Sequence, residues 1–133
     1  LDQVPGTHRL RTVSAVGDVF PLTTTANGRS ALSLLPEDRA RALAEDEWRR
    51  WHHKGEWSKF AETLAKIRAT GLACDSDEHT DGISALGGAF RDRNGEIHAI
   101  SVPVPSQRFI QIRPQVEAAL LETLSALRIQ LSR

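Results

Sequence analysis

The sequence predicts an α+β domain, an antiparallel sheet with helices packed on it. Three observations predict it. Apolar periodicity changes along the chain in the order strand, three helices, three strands and a long helix, which fits a sheet with segregated helices. Asn94-Gly95 stands between two apolar-rich runs, a strong short-range signal for an antiparallel hairpin. The chain has 133 residues, 40% of them hydrophobic, which is one domain's length and enough to build a core.

Residues 8–16 alternate, with Leu10, Thr12, Ser14 and Val16 on one face and Arg9, Arg11, Val13 and Ala15 on the other, so they read as a strand ending at the Gly17-Asp18 turn. Residues 30–35 read as a helix, capped by the side-chain oxygen of Thr25 or Asn27. Pro36 suits the first turn of a second helix, and Glu37 and Asp38 complement its dipole. Leu43, Trp48 and Trp51 make a loose apolar stripe on it, and residues 52–55 close it. Ser58 is the expected cap of a third helix with Phe60, Leu64 and Ile67 on one face, ended by Gly71 in the left-handed conformation. Strands follow over 72–75, 83–91 and 96–102, with Asp92-Arg93-Asn94-Gly95 as the turn and Pro103 and Pro105 as the stop. Pro114 is expected to open the last helix, striped by Val116, Leu120, Leu124, Leu127 and Leu131.

Composition removes several function classes. Seventeen Lys and Arg balance seventeen Asp and Glu, which argues against a nucleic-acid surface as the chain's whole purpose. A single cysteine, Cys74, excludes an internal disulfide and makes a reducing, cytoplasmic setting the expectation. No apolar run approaches the ~18 residues of a membrane span, and residues 1–6 do not resemble a secretory leader. The absence of an initiating Met suggests a processed chain or an excerpt.

Four stretches invite a chemical reading. Residues 23–29 place three hydroxyls, an amide and a glycine before a helix, where outward-pointing amides attract a carboxylate or phosphate; the bland alternative is an ordinary cap. No Walker pattern supports a nucleotide there. Residues 74–82 are rich in possible metal ligands, but counting from Asp75 puts Thr80 where a calcium loop needs glycine, and Cys74 with His79 has no second zinc pair; no metal and no cofactor are expected. Trp48, Trp51 and Trp57 interleave with Arg49, Arg50, His52, His53 and Lys54, yet Glu45, Asp46, Glu47 and Glu56 would repel phosphates, so an amphipathic helix burying its tryptophans is favoured. Catalytic motifs are missing, and Cys74 reads as a small buried side chain rather than a nucleophile, so no catalytic residue is assigned.

In order and spacing, two segments resemble the C-terminal effector-binding domain of IclR-type bacterial transcriptional regulators: HRLRTVSAVGDVFPLTTTANGRSALSLLP and IRATGLACDSDEHTDGISALGGAFRDRNGEIHAISVPVPSQRF. Together they cover more than half the chain; residues 37–57 match weakly. The resemblance implies a GAF-like fold, a curved antiparallel sheet with helices on one side. It also implies a pocket for a small effector, often an organic acid or aromatic compound, in dimers or tetramers whose separate winged helix-turn-helix domain contacts DNA.

Carried over by position, the pocket includes Ala26 and Asn27 before the first helix, Asp75 as a ligand-facing acid, Ala85 as a lining residue and Ser101 on the last strand. Thr25 and Gly28 complete the loop, with amides near Asn27 and Gly28 holding an effector carboxylate. The first strand contributes in a register the sequence leaves open. Departures are Thr23 where many members have His, Pro103 where a hydroxyl is common and Ala89 for a frequent Pro, so one polar contact is lost. No winged helix-turn-helix precedes Leu1, so residues 1–133 are expected to be part of an effector-binding domain, truncated at the N-terminus, with an exposed sheet edge. The leading expectation is a non-catalytic sensor of a small molecule, with DNA reached only through a domain outside this chain. The alternatives are an oligomerisation scaffold with a vestigial pocket, and an enzyme built on a reactive Cys74 thiolate.

Overall fold

A computed structural model of the chain describes residues 21–52, 54–76 and 81–131. The strand expected over 8–16, the Gly17-Asp18 turn and residues 77–80 of the acidic loop lie outside the described residues. The elements are α1 (Ala26–Ser33), α2 (Glu37–Arg50), α3 (Trp57–Thr70), β1 (Ala73–Ser76), β2 (Ile83–Arg91), β3 (Ile97–Pro105) and α4 (Ser106–Leu131). The strands form an antiparallel sheet in the order β1-β2-β3.

Helices cover both faces of this sheet, not one as the resemblance implied. Odd-numbered strand residues such as Ala73 and Ala85 face a core shared with Leu22, Ala26 and Leu32 and with Ala40, Ala44, Trp48, Phe60, Leu64 and Ile67 of α2 and α3. Even-numbered residues, Leu86, Phe90 and Val104, face Phe109, Leu120 and Leu124 of α4. The physical reason is the chain's second apolar stripe: α4 needs a face to bury and finds the side of the sheet that α1 leaves open.

Local chemistry explains most boundaries. Thr25 caps α1 by accepting the Gly28 amide on its hydroxyl at 3.0 Å, so α1 begins at Ala26, four residues before the apolar run that suggested it. Gly71 ends α3 at φ 82°, as expected of a left-handed cap. Pro36 precedes α2 as its cap residue, and Glu37 and Asp38 fill the first turn.

Four expectations need correction. Ser58 does not cap α3; the helix starts at Trp57, and Ser58 donates its hydroxyl to Glu56 Oε1 at 2.9 Å. The buried stripe of α2 is Ala40, Ala44, Glu47 and Trp48, while Trp51 is 42% exposed beyond the helix end.

Third, β3 runs through both prolines to Pro105. The backbone bonds Asp92 N to Glu96 O and Ser106 N to Gly82 O bracket the β2–β3 ladder, so its even-numbered residues exchange hydrogen bonds. Pro103 and Pro105 are both odd, at positions whose N–H would point away from β2, and the ladder loses nothing.

Fourth, α4 starts at Ser106 and carries Pro114 inside it. The amide that proline lacks would have bonded the carbonyl of Ile110, a residue 87% exposed, so the helix loses that bond at its solvent side.

The hairpin itself forms at residues 92–96, but Asn94 does not have positive φ while Gly95 does, at 82°. Asp92 Oδ1 accepts the amides of Asn94 (2.8 Å) and Glu96 (3.1 Å), so the turn is organised by the aspartate and closed by the glycine.

Candidate functional site

The 21–25 loop and the start of α1 sit against the odd face of the sheet. Gly87 makes this possible: a Cβ there would lie 3.1 Å from both Ala26 Cβ and the Ile100 carbonyl, so α1 rests directly on β2 at this point. Gly28 does the same for the loop, because a Cβ there would collide with the Leu22 backbone.

The register then sets the seven sequence-nominated residues in relation. Ala73, Gly87 and Ser101 lie opposite one another across the three strands, and Ala26 covers Gly87. Asp75, Ala85 and Pro103 form the next row on the same face, with Asp75 only 6% exposed. Ala26, Asp75, Ala85 and Ser101 are thereby brought to one face within two rows, and Asn27 follows Ala26 at the helix start.

Within this group the polar atoms are in different states. The Thr25 hydroxyl donates to the Pro21 carbonyl at 2.7 Å while accepting from Gly28 N, so Thr25 and the Gly28 amide are engaged in building the loop. Asn27 Oδ1 is the buried side-chain oxygen or nitrogen without a hydrogen-bond partner among the described residues. An unmet buried acceptor costs about 1–3 kcal/mol, so a ligand donor there would be favoured.

Sequence reasoning missed what fastens the loop. Glu47 of α2 is 2% exposed and its carboxylate accepts three donors: Leu22 N at 2.6 Å, Thr23 N at 3.0 Å and the Thr23 hydroxyl at 2.6 Å. These charge-assisted bonds make its burial tolerable. Trp48 Nε1 donates to Thr23 Oγ1 at 3.3 Å, and Arg29 reaches both the Thr23 carbonyl (2.7 Å) and the Cys74 carbonyl (2.6 Å), joining the loop to the strand that carries Asp75. The available signal was a carboxylate at position 47 in the Ala40–Ala44–Trp48 stripe.

Comparison with known proteins agrees with this architecture. The family model "Bacterial transcriptional regulator IclR C-terminal" matches residues 1–133. The HTH-type transcriptional regulator Rv1719 of Mycobacterium tuberculosis is 41% identical over 127 residues, covering 94% of this chain and 49% of that protein. The HTH-type transcriptional regulator TtgV of Pseudomonas putida is 26% identical over 124 residues, covering 92% and 48%. The chain therefore spans about half the length of these curated relatives. The crystal structure of the C-terminal domain of Escherichia coli KdgR shares the fold at a TM-score of 0.70 and 23% identity, over 85% of this chain and 72% of that one. With the match covering its whole length, the chain belongs to the IclR family of bacterial transcriptional regulators, as a C-terminal regulatory domain.

Proposed function

We propose that this chain is the sensing part of a DNA-binding regulator and that it binds a small organic acid without catalysis. The observation that carries the reading is Asn27 Oδ1, buried at the start of α1 and without a hydrogen-bond partner among the described residues. The oxygen accepts from an effector hydroxyl; turned over, the same amide offers N–H to an effector carboxylate. The amides of Ala26 and Asn27, the first of α1, add the positive end of the helix. Ser101 and Asp75 orient a second polar group, and Ala85 with Pro103 borders the carbon skeleton. Thr25 and Gly28 serve as the framework of this site, since their local polar groups hold the loop.

Sensing requires that the effector prefer one conformation over another, and the Glu47-fastened loop is the element such a preference would act on. DNA is contacted through a domain outside this chain, and the working assembly is a homodimer or tetramer. The test is a thermal-shift and calorimetric screen with small carboxylates. Stabilisation by at least one, weakened in Asn27→Asp by like-charge repulsion, is expected. A well-folded sample that no carboxylate stabilises would overturn the sensing role, and unchanged affinity in Asn27→Asp would remove Asn27 from the site.

The scaffold reading draws on a different observation, the exposed apolar residues Ile110, Leu121 and Ile129 of α4. Size-exclusion chromatography of Ile110→Glu separates the two. A change in assembly state with effector binding retained assigns α4 to association and leaves the sensor intact.

A further inference from the structure

A concave site lies beside the loop and shares no residue with the effector row. It is a groove of about 490 Å³ lined by Thr23, Thr24, Trp48, Phe60 and Thr63, with Arg29, Lys54, Gly55, Glu56 and Lys59 completing its walls and rim. That volume falls within the range of small-molecule sites, about 300–1,000 Å³.

Its base is aromatic. Trp48 and Phe60 are each 8% exposed and meet edge to face with ring centroids 5.8 Å apart, which fixes both rings. The wall at Gly55 is bare backbone lying flat on the Trp48 indole, since a Cβ there would land on the ring. Gly55 thus brings the Lys54 and Glu56 backbone down to the aromatic base.

The rim is cationic. Lys54 and Lys59 stand against one carboxylate, Glu56, which has Lys59 Nζ at 3.9 Å and the Ser58 hydroxyl at 2.9 Å, while the Arg29 guanidinium is bonded to the Thr23 and Cys74 carbonyls. Among the described residues no carboxylate is bonded to Lys54. Glu56 is also the N-cap residue of α3, and its side chain makes no capping bond, so the first amides of that helix have no side-chain acceptor from the cap position. Thr24 and Thr63 add hydroxyls.

From this arrangement we infer that the groove is a second ligand site, for a small anion with a flat apolar body, of the aromatic carboxylate class. A cation is repelled by the rim, and a neutral aromatic gains the base but not the charge. The occupant would touch Thr23 and Trp48, which are hydrogen-bonded to each other and, through Thr23, to Glu47. It would therefore sit against the same loop that leads into Asn27.

The test is a titration of the chain with benzoate, followed at the Trp48 indole N–H and the Thr24 and Thr63 amides by ¹H–¹⁵N NMR, with benzamide as the uncharged isostere. Saturable shifts at these three positions are expected, weakened about tenfold or more for benzamide. The same weakening is expected in K54Q/K59Q and more in K54E/K59E. All four changes lie at exposed lysines, and the spectrum reports whether each variant is folded. N27D should bind benzoate at this site as the parent chain does. No saturable shift at about 10 mM benzoate, equal affinity for benzamide, or parental affinity in the folded lysine variants would overturn the inference. Loss of the shifts in N27D would also overturn it, by placing benzoate in the effector row.

Discussion

Gly87 and Gly88 are neighbours in β2, yet they admit opposite layers. Gly87 lets Ala26 of α1 rest on one face, and Gly88 lets the Leu124 side chain enter the other. The two layers have different chemistry. On the α1 side the buried groups include Thr23, Thr25, Ser30, Ser33, Glu47 and Asp75, beside an apolar core that mixes Ala26, Ala40, Ala44 and Ala73 with Leu22, Leu32, Trp48, Phe60, Leu64 and Ile67. On the α4 side the core is Leu86, Phe90, Val104, Phe109, Leu120 and Leu124, with Ser84 as its buried polar group, bonded to Ser106 at 2.9 Å. Apolar packing is non-directional and robust, whereas a buried polar layer depends on each partner being in place. The α4 layer is therefore held almost wholly by apolar packing, whereas the α1 layer adds to its own apolar core a polar network that fastens the 21–25 loop.

The largest expected break in this contrast is Leu124→Ala. Leu124 is fully buried and fills the space over Gly88, so truncation should cost about 2–5 kcal/mol by urea denaturation. Ligand binding to the remaining folded protein should be unchanged. A cost well below 1 kcal/mol would mean that Leu124 contributes little to holding α4 on the sheet.

Next is Glu47→Leu, similar in size but without acceptors. It strands the Leu22 and Thr23 amides in a buried site, at about 1–3 kcal/mol for such a group. The Trp48 indole N–H should also shift in the NMR spectrum as Thr23 is released. Glu47→Gln keeps one oxygen and should be milder on both measures. If Glu47→Leu were neutral, the polar layer would be ornamental to the loop.

Thr25→Ala comes third. It removes the hydroxyl that accepts Gly28 N, and a lost cap costs about 1 kcal/mol. Thr25→Ser retains the oxygen and should recover most of that in thermal melts.

These three residues also mark how far the sequence could be read. Thr25 was legible because its partner is three residues away, and local chemistry leaves a local pattern. The α4 stripe was legible because Leu120 and Leu124 repeat at helical spacing. Glu47 was not, because its partners are 24 and 25 residues away and it lies in the run Glu45-Asp46-Glu47, which reads as a solvated face. Asp46 fits that bland reading, bonded to exposed Arg49 and Arg50, which hold its carboxyl below the usual range. Pro103 and Pro105 misled because a proline's effect on a strand depends on which side its missing N–H faces, a property of pairing. The effector row was named from resemblance alone; which of its residues share a face became visible only through the register.

The smallest expected effect tests whether the α4 layer has a polar weakness of its own. At its hairpin end, His98 stacks on Phe90 at 5.2 Å and bonds Asp92 Oδ2 through Nε2 at 2.8 Å. That bond, with the Asn94 and Glu96 amides on Oδ1, holds the Asp92 carboxyl below its ordinary value of 3.8. A carboxyl whose folded value is depressed adds stability in full above its unfolded value, and loses it as pH falls through the folded one. Asp92→Asn keeps an oxygen for the two amides but gives up the charge, so it should be less stable than the parent at neutral pH. The gap between them, measured by urea denaturation at a series of pH values, should narrow as pH falls below about 4. A gap that persists unchanged into acid would show that the charge contributes nothing, and that this end of the layer is held by the Phe90–His98 stack and the hairpin backbone alone.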